Sequence, residues 1–189
     1  MIKRIVISFF VVLFLASCAT ESNNKYLSYK NIVILSDLSS RIDNKPSKDI
    51  DEINRIVKYF RNECVRPGKK MGDRSSIAFS TFSDKVAAKV DLSSIKGIGA
   101  LQKYINSTEE YTGNGFDKKL EEFLDKVNSV YSTVRNPGLD LISQLVEKLE
   151  NESVVKQDTF VTDGVDTTFL SYDNHVYILT DGYLEYLNK

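Results

Sequence analysis

The strongest constraint on the fold of this chain comes from two short apolar runs that each end in an aspartate. Residues 31–37 read NIVILSD, and residues 175–181 read HVYILTD. A continuous apolar run fits a parallel strand buried on both faces better than a half-exposed strand, in which apolar and polar residues would alternate. Because ligands bind at the carboxyl ends of strands in open α/β sheets, Asp37 and Asp181 are the first candidates for a site.

The segments between these two runs predict the rest of the fold. Four segments carry the apolar spacing or the start signals of a helix: about 46–60, 99–106, 116–130 and, after Asn136-Pro137, 139–149. Residues 75–82 and 86–90 read as two further strands, and the stretch 152–174 carries the signal of an inserted β-ribbon around Asp163-Gly164. This order predicts a doubly wound, mainly parallel α/β sheet with helices on both faces.

The N-terminal residues have the pattern of a secretory signal peptide. Two basic residues precede an apolar run of eleven, residues 5–15, which is shorter than the roughly 20 residues that span a bilayer. The exit Leu15-Ala16-Ser17-Cys18 resembles the bacterial lipobox, in which the cysteine is diacylated and becomes the mature N-terminus. A plain signal peptide with an incidental cysteine and an N-terminal membrane anchor are the alternatives.

The lipobox resemblance implies a domain plan and a location. Residues 1–17 are then a signal peptide, Cys18 is the lipidated residue, 18–30 form a polar tether and 31–189 form the folded domain. Two or more acyl chains on one cysteine give stable membrane anchoring. Since Ala19 rather than Asp follows the cysteine, the sorting rule of Gram-negative lipoproteins implies the cell envelope, at the outer membrane.

The strand-end acids resemble the metal-ion-dependent adhesion site of the von Willebrand factor A-like family. There the first strand ends in Asp-x-Ser-x-Ser, a later loop supplies a Thr, and the fourth strand ends in an Asp often followed by Gly. Asp37 and Ser39 match the first motif, and Asp181-Gly182 matches the last. For the Thr, Thr133 fits the family order best and Thr112 is the alternative. The resemblance implies a divalent cation, Mg²⁺ or Mn²⁺, that completes its shell with an acid from a partner protein.

Two departures from the family pattern affect this site. Arg41 stands where the family has its second Ser, so its charge must point away from a bound cation or the metal is weak or absent. Pointing inward, Arg41 could instead hold an acidic ligand directly, with Ser40 beside it. A second Thr-Asp-Gly, at residues 162–164, has flanks that favour a hairpin turn, so we assign the site to Asp181.

Other chemistry has weaker support. The chain has 25 basic and 26 acidic side chains, so it lacks the excess of positive charge that is typical of proteins that bind nucleic acid. His175 is the only histidine and lies at the strand end opposite the acids, and Cys64 reads as a small buried apolar residue. We therefore expect a binding module rather than an enzyme, held at the membrane by its lipid and recognising an envelope or surface protein. The ten Tyr and ten Phe are assigned to the core.

Two alternative functions and one question about length stay open. A metal-dependent envelope hydrolase or phosphoesterase could use the same two acids, and a structural lipoprotein could keep the fold with a degenerate metal site. The family fold continues with further strands after the one that ends at Asp181, and eight residues follow Asp181 here. We therefore expect an incomplete domain, or a partner that covers the exposed strand edge.

Overall fold

Strand β1, Lys25–Ser36, is the central element of a five-stranded sheet. The computed structural model describes residues 24–38, 46–68, 73–82, 85–107, 115–133, 141–150, 154–163 and 166–180. These form two compact units. The larger one comprises the described residues within 28–157 and 172–180, and the smaller one those within 24–27 and 158–171. Each unit is described separately.

In the larger unit the strand order is β3-β2-β1-β5, with β2 at Ser76–Thr81, β3 at Ala88–Asp91 and β5 at Asp166–Leu179. β1 and β2 are parallel, and β3 is an antiparallel edge strand. β1 also runs parallel to β5, since Asn31 bonds to Asn174 near one end and Asp37 bonds to Leu179 near the other. The prediction of an α/β fold with a mainly parallel sheet is confirmed.

Burial on both faces of β1 explains its uninterrupted apolar sequence. Ile32 and Ile34 point into a large core cluster, whereas Val33 and Leu35 point into a smaller cluster on the opposite face. All four are at most 1% exposed. Apolar and polar residues do not alternate in this strand because both of its faces are buried, as expected for a central parallel strand.

The helices cover the two faces unequally. The described helices are α1 (Pro46–Tyr59), which ends in a π-helical turn over Phe60–Val65, α2 (Ile98–Asn106), α3 (Phe116–Thr133) and α4 (Leu141–Glu150). Residues of α1, α2 and α3 form most of the large cluster, whereas α4 packs on the small one. The predicted helices are present in these four segments, while the π-helical turn was not predicted.

Helix α4 contributes less to the core than its sequence suggests. Leu145 and Leu149 pack on the small cluster, but Ile142 and Val146, which share the predicted apolar stripe, are 49% and 47% exposed. The start that the sequence predicts at Asn136-Pro137 lies outside the described residues. The described part of α4 is therefore a half-buried helix with a partly exposed apolar stripe.

The smaller unit is a β-ribbon with strand order β1-β5-β4, where β4 is Thr159–Asp163. β4 and β5 pair antiparallel from Thr159↔Leu170 to Asp163↔Asp166, as the hairpin signal predicted. The structure differs from the sequence-based description in two ways. β5 continues without a break into the last strand, because no Gly or Pro interrupts residues 166–179. β1 begins at Lys25, inside the predicted tether.

Within the part of the chain that the structure describes, no helix has the length and apolar character needed to cross a membrane. Several predicted residues lie outside that part: Cys18, Ser39, Ser40, Arg41, Thr112 and Asp181.

Candidate functional site

The carboxyl ends of β1 and β5 bring the first predicted site residue to a buried position. Asp37 directly follows β1, and its backbone N–H donates to the carbonyl of Leu179 at 2.8 Å. Asp37 is 5% exposed although it is an aspartate. Parallel pairing therefore continues one residue past β1 and holds this carboxylate between strand ends.

Thr180 provides the second group at this rim. Its hydroxyl Oγ1 donates to Oδ2 of Asp37 at 3.3 Å. Thr180 directly follows β5 and precedes the predicted ligand Asp181 in the sequence. The structure thus joins the two strand ends that the sequence analysis singled out, through a hydroxyl that the analysis had not assigned.

A hydroxyl chain lies beside Asp37 on the α3 side of the sheet. The Oγ of Ser36 and the phenol oxygen of Tyr131 are 2.5 Å apart, and the Tyr131 hydroxyl donates to Oδ2 of Asp49 at 3.3 Å. Since a phenol has one proton, Ser36 donates to Tyr131. Burial raises the pKa of Tyr131 well above its usual value, so this phenol stays protonated.

Asp49 is a second acid near the same end of the sheet. It lies in the first turn of α1, and burial raises the pKa of its carboxyl, an effect that the hydrogen bond from Tyr131 opposes. At the end of the neighbouring strand β2, Ser80 and Thr81 are also buried, and the Ser80 hydroxyl donates to the backbone carbonyl of Thr81 at 2.8 Å. The rim thus combines carboxylates with hydroxyls and has the donor chemistry of a hard-cation site.

Thr133, the predicted threonine of the metal site, is placed at the last residue of α3. Its Oγ1 donates to the backbone carbonyl of Ser129 at 2.7 Å, and the residue is exposed. This hydrogen bond joins the Thr133 hydroxyl to its own helix and not to Asp37. Asp163, from the second Thr-Asp-Gly, lies at the β4–β5 turn of the ribbon, as its flanks predicted.

The described donors fit part of a divalent-cation site. Asp37 and Thr180 offer one carboxylate and one hydroxyl, which are ligands that Mg²⁺ and Mn²⁺ accept. Within the described ranges, no three His, Cys, Asp or Glu side chains form a metal-binding group. Ser39 and Asp181, the remaining predicted ligands, belong to the residues outside those ranges.

A separate polar cluster lies along β1 and β5, away from the Asp37 rim. His175 Nε2 lies 3.1 Å from Asp173 and 3.3 Å from the ammonium of Lys30, which also pairs with Asp173. His175 lies away from the Asp37 rim as predicted, but the prediction that it starts a strand is wrong, because β5 already begins at Asp166. Cys64 is 5% exposed and belongs to the large core cluster, which agrees with its interpretation as a small core residue.

A half-buried ion pair anchors the segment that leads into the ribbon strand β4. The Lys156 ammonium donates to Asp91 at 2.7 Å and to Ser93 at 3.0 Å, and it lies 4.9 Å from the ring centroid of Tyr172. Both charged side chains are 17% exposed. Burial of the Asp91 carboxyl raises its pKa, but the hydrogen bonds from Lys156, Ser93 and Lys89 outweigh burial and lower the pKa to about 2.

Thr180, Tyr131 and Asp49 were not among the predicted site residues. Tyr131 follows Val127 by four residues and so continues the apolar stripe of α3, which could have indicated that its ring is buried. A buried phenol needs a hydrogen-bond partner, and the strand end is the nearest polar element. No comparable signal identifies Asp49, which reads as an ordinary acid in the first turn of a helix.

Comparison of the chain with protein-family models, with curated proteins and with solved structures gives no match.

Proposed function

We propose that this protein is a lipid-anchored, extracytoplasmic binding module that captures an acidic group of a partner protein at the Asp37 rim. The lipid would be carried by Cys18, and the partner would be another protein of the envelope or cell surface. The fold would be a von Willebrand factor A-like domain in which the rim lies at the carboxyl ends of β1 and β5.

The observation that carries the proposal is the contact between Asp37 and Thr180. An aspartate that is 5% exposed, held 3.3 Å from a hydroxyl at the end of the adjacent strand, is an unusual arrangement for a surface turn, because aspartates are rarely buried. It is a useful one for a cation, because the two oxygens come from rigid strand ends. Ser39 and Asp181 follow these two residues closely in the sequence and would supply the remaining ligands.

A metal in such a site would favour an acidic partner. A divalent cation bound by one or two carboxylates and by neutral hydroxyls keeps positive charge and open coordination positions. A carboxylate from the partner would fill one of them. Arg41 offers a second way to the same recognition, because its guanidinium can bind a carboxylate through two hydrogen bonds without a metal.

The test is calorimetric titration of the full chain with MgCl₂ and with MnCl₂. Asp37→Asn keeps the shape of the side chain and removes its charge, so we expect it to abolish the heat of metal binding. Asp125→Asn, which makes the same change at an exposed acid on α3, is the matched control and should bind metal like the parent. Circular dichroism spectra that match the parent show that each variant is folded.

The outcomes separate the proposed function from its alternatives. Equal metal heats for the parent and for Asp37→Asn would remove the metal site. Binding of a glutamate-containing peptide that persists without metal and is lost in Arg41→Gln would assign capture to the guanidinium. Metal-dependent turnover of a phosphoester that Asp37→Asn abolishes would show a hydrolase. Mass spectrometry of the N-terminal peptide tests lipidation of Cys18 independently.

A further inference from the structure

An exposed row of three aromatic rings crosses the β-ribbon of the smaller unit. Tyr26 on β1, Phe169 on β5 and Phe160 on β4 belong to three neighbouring strands, and Phe160 and Phe169 are direct cross-strand partners. The rings of Tyr26 and Phe169 are stacked with centroids 5.0 Å apart, and those of Phe169 and Phe160 are 6.4 Å apart. We call these three residues the aromatic row.

The aromatic row is strongly exposed for its size. Tyr26 is 75% exposed, Phe160 is 64% exposed and Phe169 is 38% exposed. Single exposed apolar residues are common on protein surfaces, but three adjacent rings form a patch, and such patches mark interaction sites. The prediction that the tyrosines and phenylalanines belong to the core is wrong for these three residues.

The ribbon around the row has two different faces. Side chains alternate along a strand, so Thr162 and Thr167, which are paired and uncharged, share the face of Phe160 and Phe169. The same alternation places Lys25 and Asp166 on the other face, together with Leu27, Val161 and Leu170. The face of the row therefore differs from the other face in being aromatic and in lacking these charges.

The sequence indicates which boundary this is. Tyr26 follows the predicted lipidated residue Cys18 by eight positions, and eight extended residues reach at most about 29 Å. If Cys18 carries its acyl chains in a bilayer, the row therefore stays within this distance of the membrane surface. The distance is similar to the thickness of the hydrocarbon core, which is about 30 Å. Tyrosine and other amphipathic rings are enriched at the membrane–water interface.

We propose that the aromatic row inserts its rings into the interface of the bilayer that holds the lipid anchor. The acyl chains would limit the distance of the ribbon from the membrane, and the row would determine which of its faces meets the lipid. This inference rests on the lipid anchoring at Cys18 that forms part of the proposed function. It does not depend on a metal at the Asp37 rim.

The chain offers a clean reporter, because it contains no tryptophan. Phe160→Trp places one fluorophore in the row, and Tyr26→Trp repeats the measurement on another strand. Ile98→Trp is the matched control, since Ile98 is 71% exposed at the start of α2 in the larger unit. The full chain is produced in a lipoprotein-processing Gram-negative host and reconstituted into phosphatidylcholine vesicles with plain or brominated acyl chains.

We expect brominated lipid to lower the tryptophan emission of Phe160→Trp and of Tyr26→Trp by about twofold or more, as for a ring at the interface, and to leave the control nearly unchanged. Vesicle flotation is measured in parallel. If both row variants float with the vesicles while their emission stays unquenched, the role of the row is overturned and the anchor stands. A protein that carries no acyl mass and does not float overturns both. A blue shift of the row variants that appears with rising protein concentration without lipid overturns insertion and assigns the row to self-association instead.

Discussion

The Oγ of Ser36 lies 2.5 Å from the hydroxyl oxygen of Tyr131, which connects the last residue of the central strand to helix α3. Ser36 is fully buried and Tyr131 is 4% exposed. The next residue in the chain is Asp37, so this contact helps to fix the strand end from which the candidate site projects. The same phenol bonds to Asp49 on α1, which links both helices to the rim.

The pair predicts non-additive mutational effects. Tyr131→Phe and Ser36→Ala should each lower the free energy of unfolding by about 1 to 2 kcal/mol, because each leaves a buried hydroxyl or carboxylate with one partner fewer. The double variant should cost less than the sum of the two, since both hydroxyls are then gone. Urea unfolding of all four proteins measures the coupling. Strict additivity would show that the contact carries no energy of its own.

The fold was predictable from the sequence where burial is uniform. Residues 32–35 face two cores, and for that reason their sequence shows no alternation. Residues 166–174 were harder to assign, because Asp173-Asn174 are residue types that favour a turn over a strand. The strand nevertheless continues through them, and the side chain of Asn174 accepts hydrogen bonds from Asn31 and from the backbone of Lys156. The early start of β1 was missed because residues 18–30 were predicted as one polar tether, although residues 25–30 include Tyr26, Leu27 and Tyr29.

The candidate site was predictable only as far as strand ends determine it. Asp37 follows an apolar run, and topology alone places such a residue at the carboxyl rim. The partner hydroxyls come from other elements, α3 and β5, whose packing decides which side chain reaches the rim. Thr180 was within the motif that identified Asp181, yet which residue of the motif contacts Asp37 depends on the register between β1 and β5.

Two apolar residues on the same stripe of helix α4 should contribute differently to the free energy of unfolding. Leu145 packs on the small core cluster, so Leu145→Ala should lower the free energy of unfolding by about 1 to 2 kcal/mol. Ile142 is 49% exposed, and Ile142→Ala should change it by less than about 0.5 kcal/mol. Thermal or urea unfolding compares the two. Equal costs would mean that Ile142 is covered in solution, by a partner or by another part of the chain.

Removal of the Asn31 side-chain amide should lower the free energy of unfolding strongly. Its Nδ2 donates to the carbonyl of Val154 at 2.9 Å and to Asn174 at 2.7 Å, and its Oδ1 accepts from Ser76 at 2.7 Å. Asn31→Leu keeps the size but removes all three bonds, so we expect a loss of about 2 to 4 kcal/mol. Asn128→Leu, at an exposed position of α3, is the control and should be nearly neutral in urea unfolding.

The pair of Asp91 and Lys156 predicts a pH dependence of stability. The pKa of Asp91 is about 2 in the folded protein and about 3.9 in an unfolded chain. A lowered folded-state pKa stabilises the protein above the unfolded value, and this contribution is lost as the pH falls from about 4 to 2. The shift corresponds to about 2 to 3 kcal/mol. Urea unfolding between pH 6 and pH 2 should therefore show a smaller loss of stability for Asp91→Asn than for the parent.

At neutral pH the same variant should be costly for a different reason. Asp91→Asn leaves the 17% exposed Lys156 ammonium without its counter-charge, and we expect a loss of about 2 to 4 kcal/mol. Burial already lowers the pKa of Lys156, against the effect of Asp91, so the ammonium tolerates its position only with the carboxylate present. Lys156→Met combined with Asp91→Asn removes both charges and should recover much of that stability. A double variant no more stable than Asp91→Asn alone would mean that the hydrogen bonds to Ser93 and the contact with Tyr172, and not the charge pair, anchor this segment.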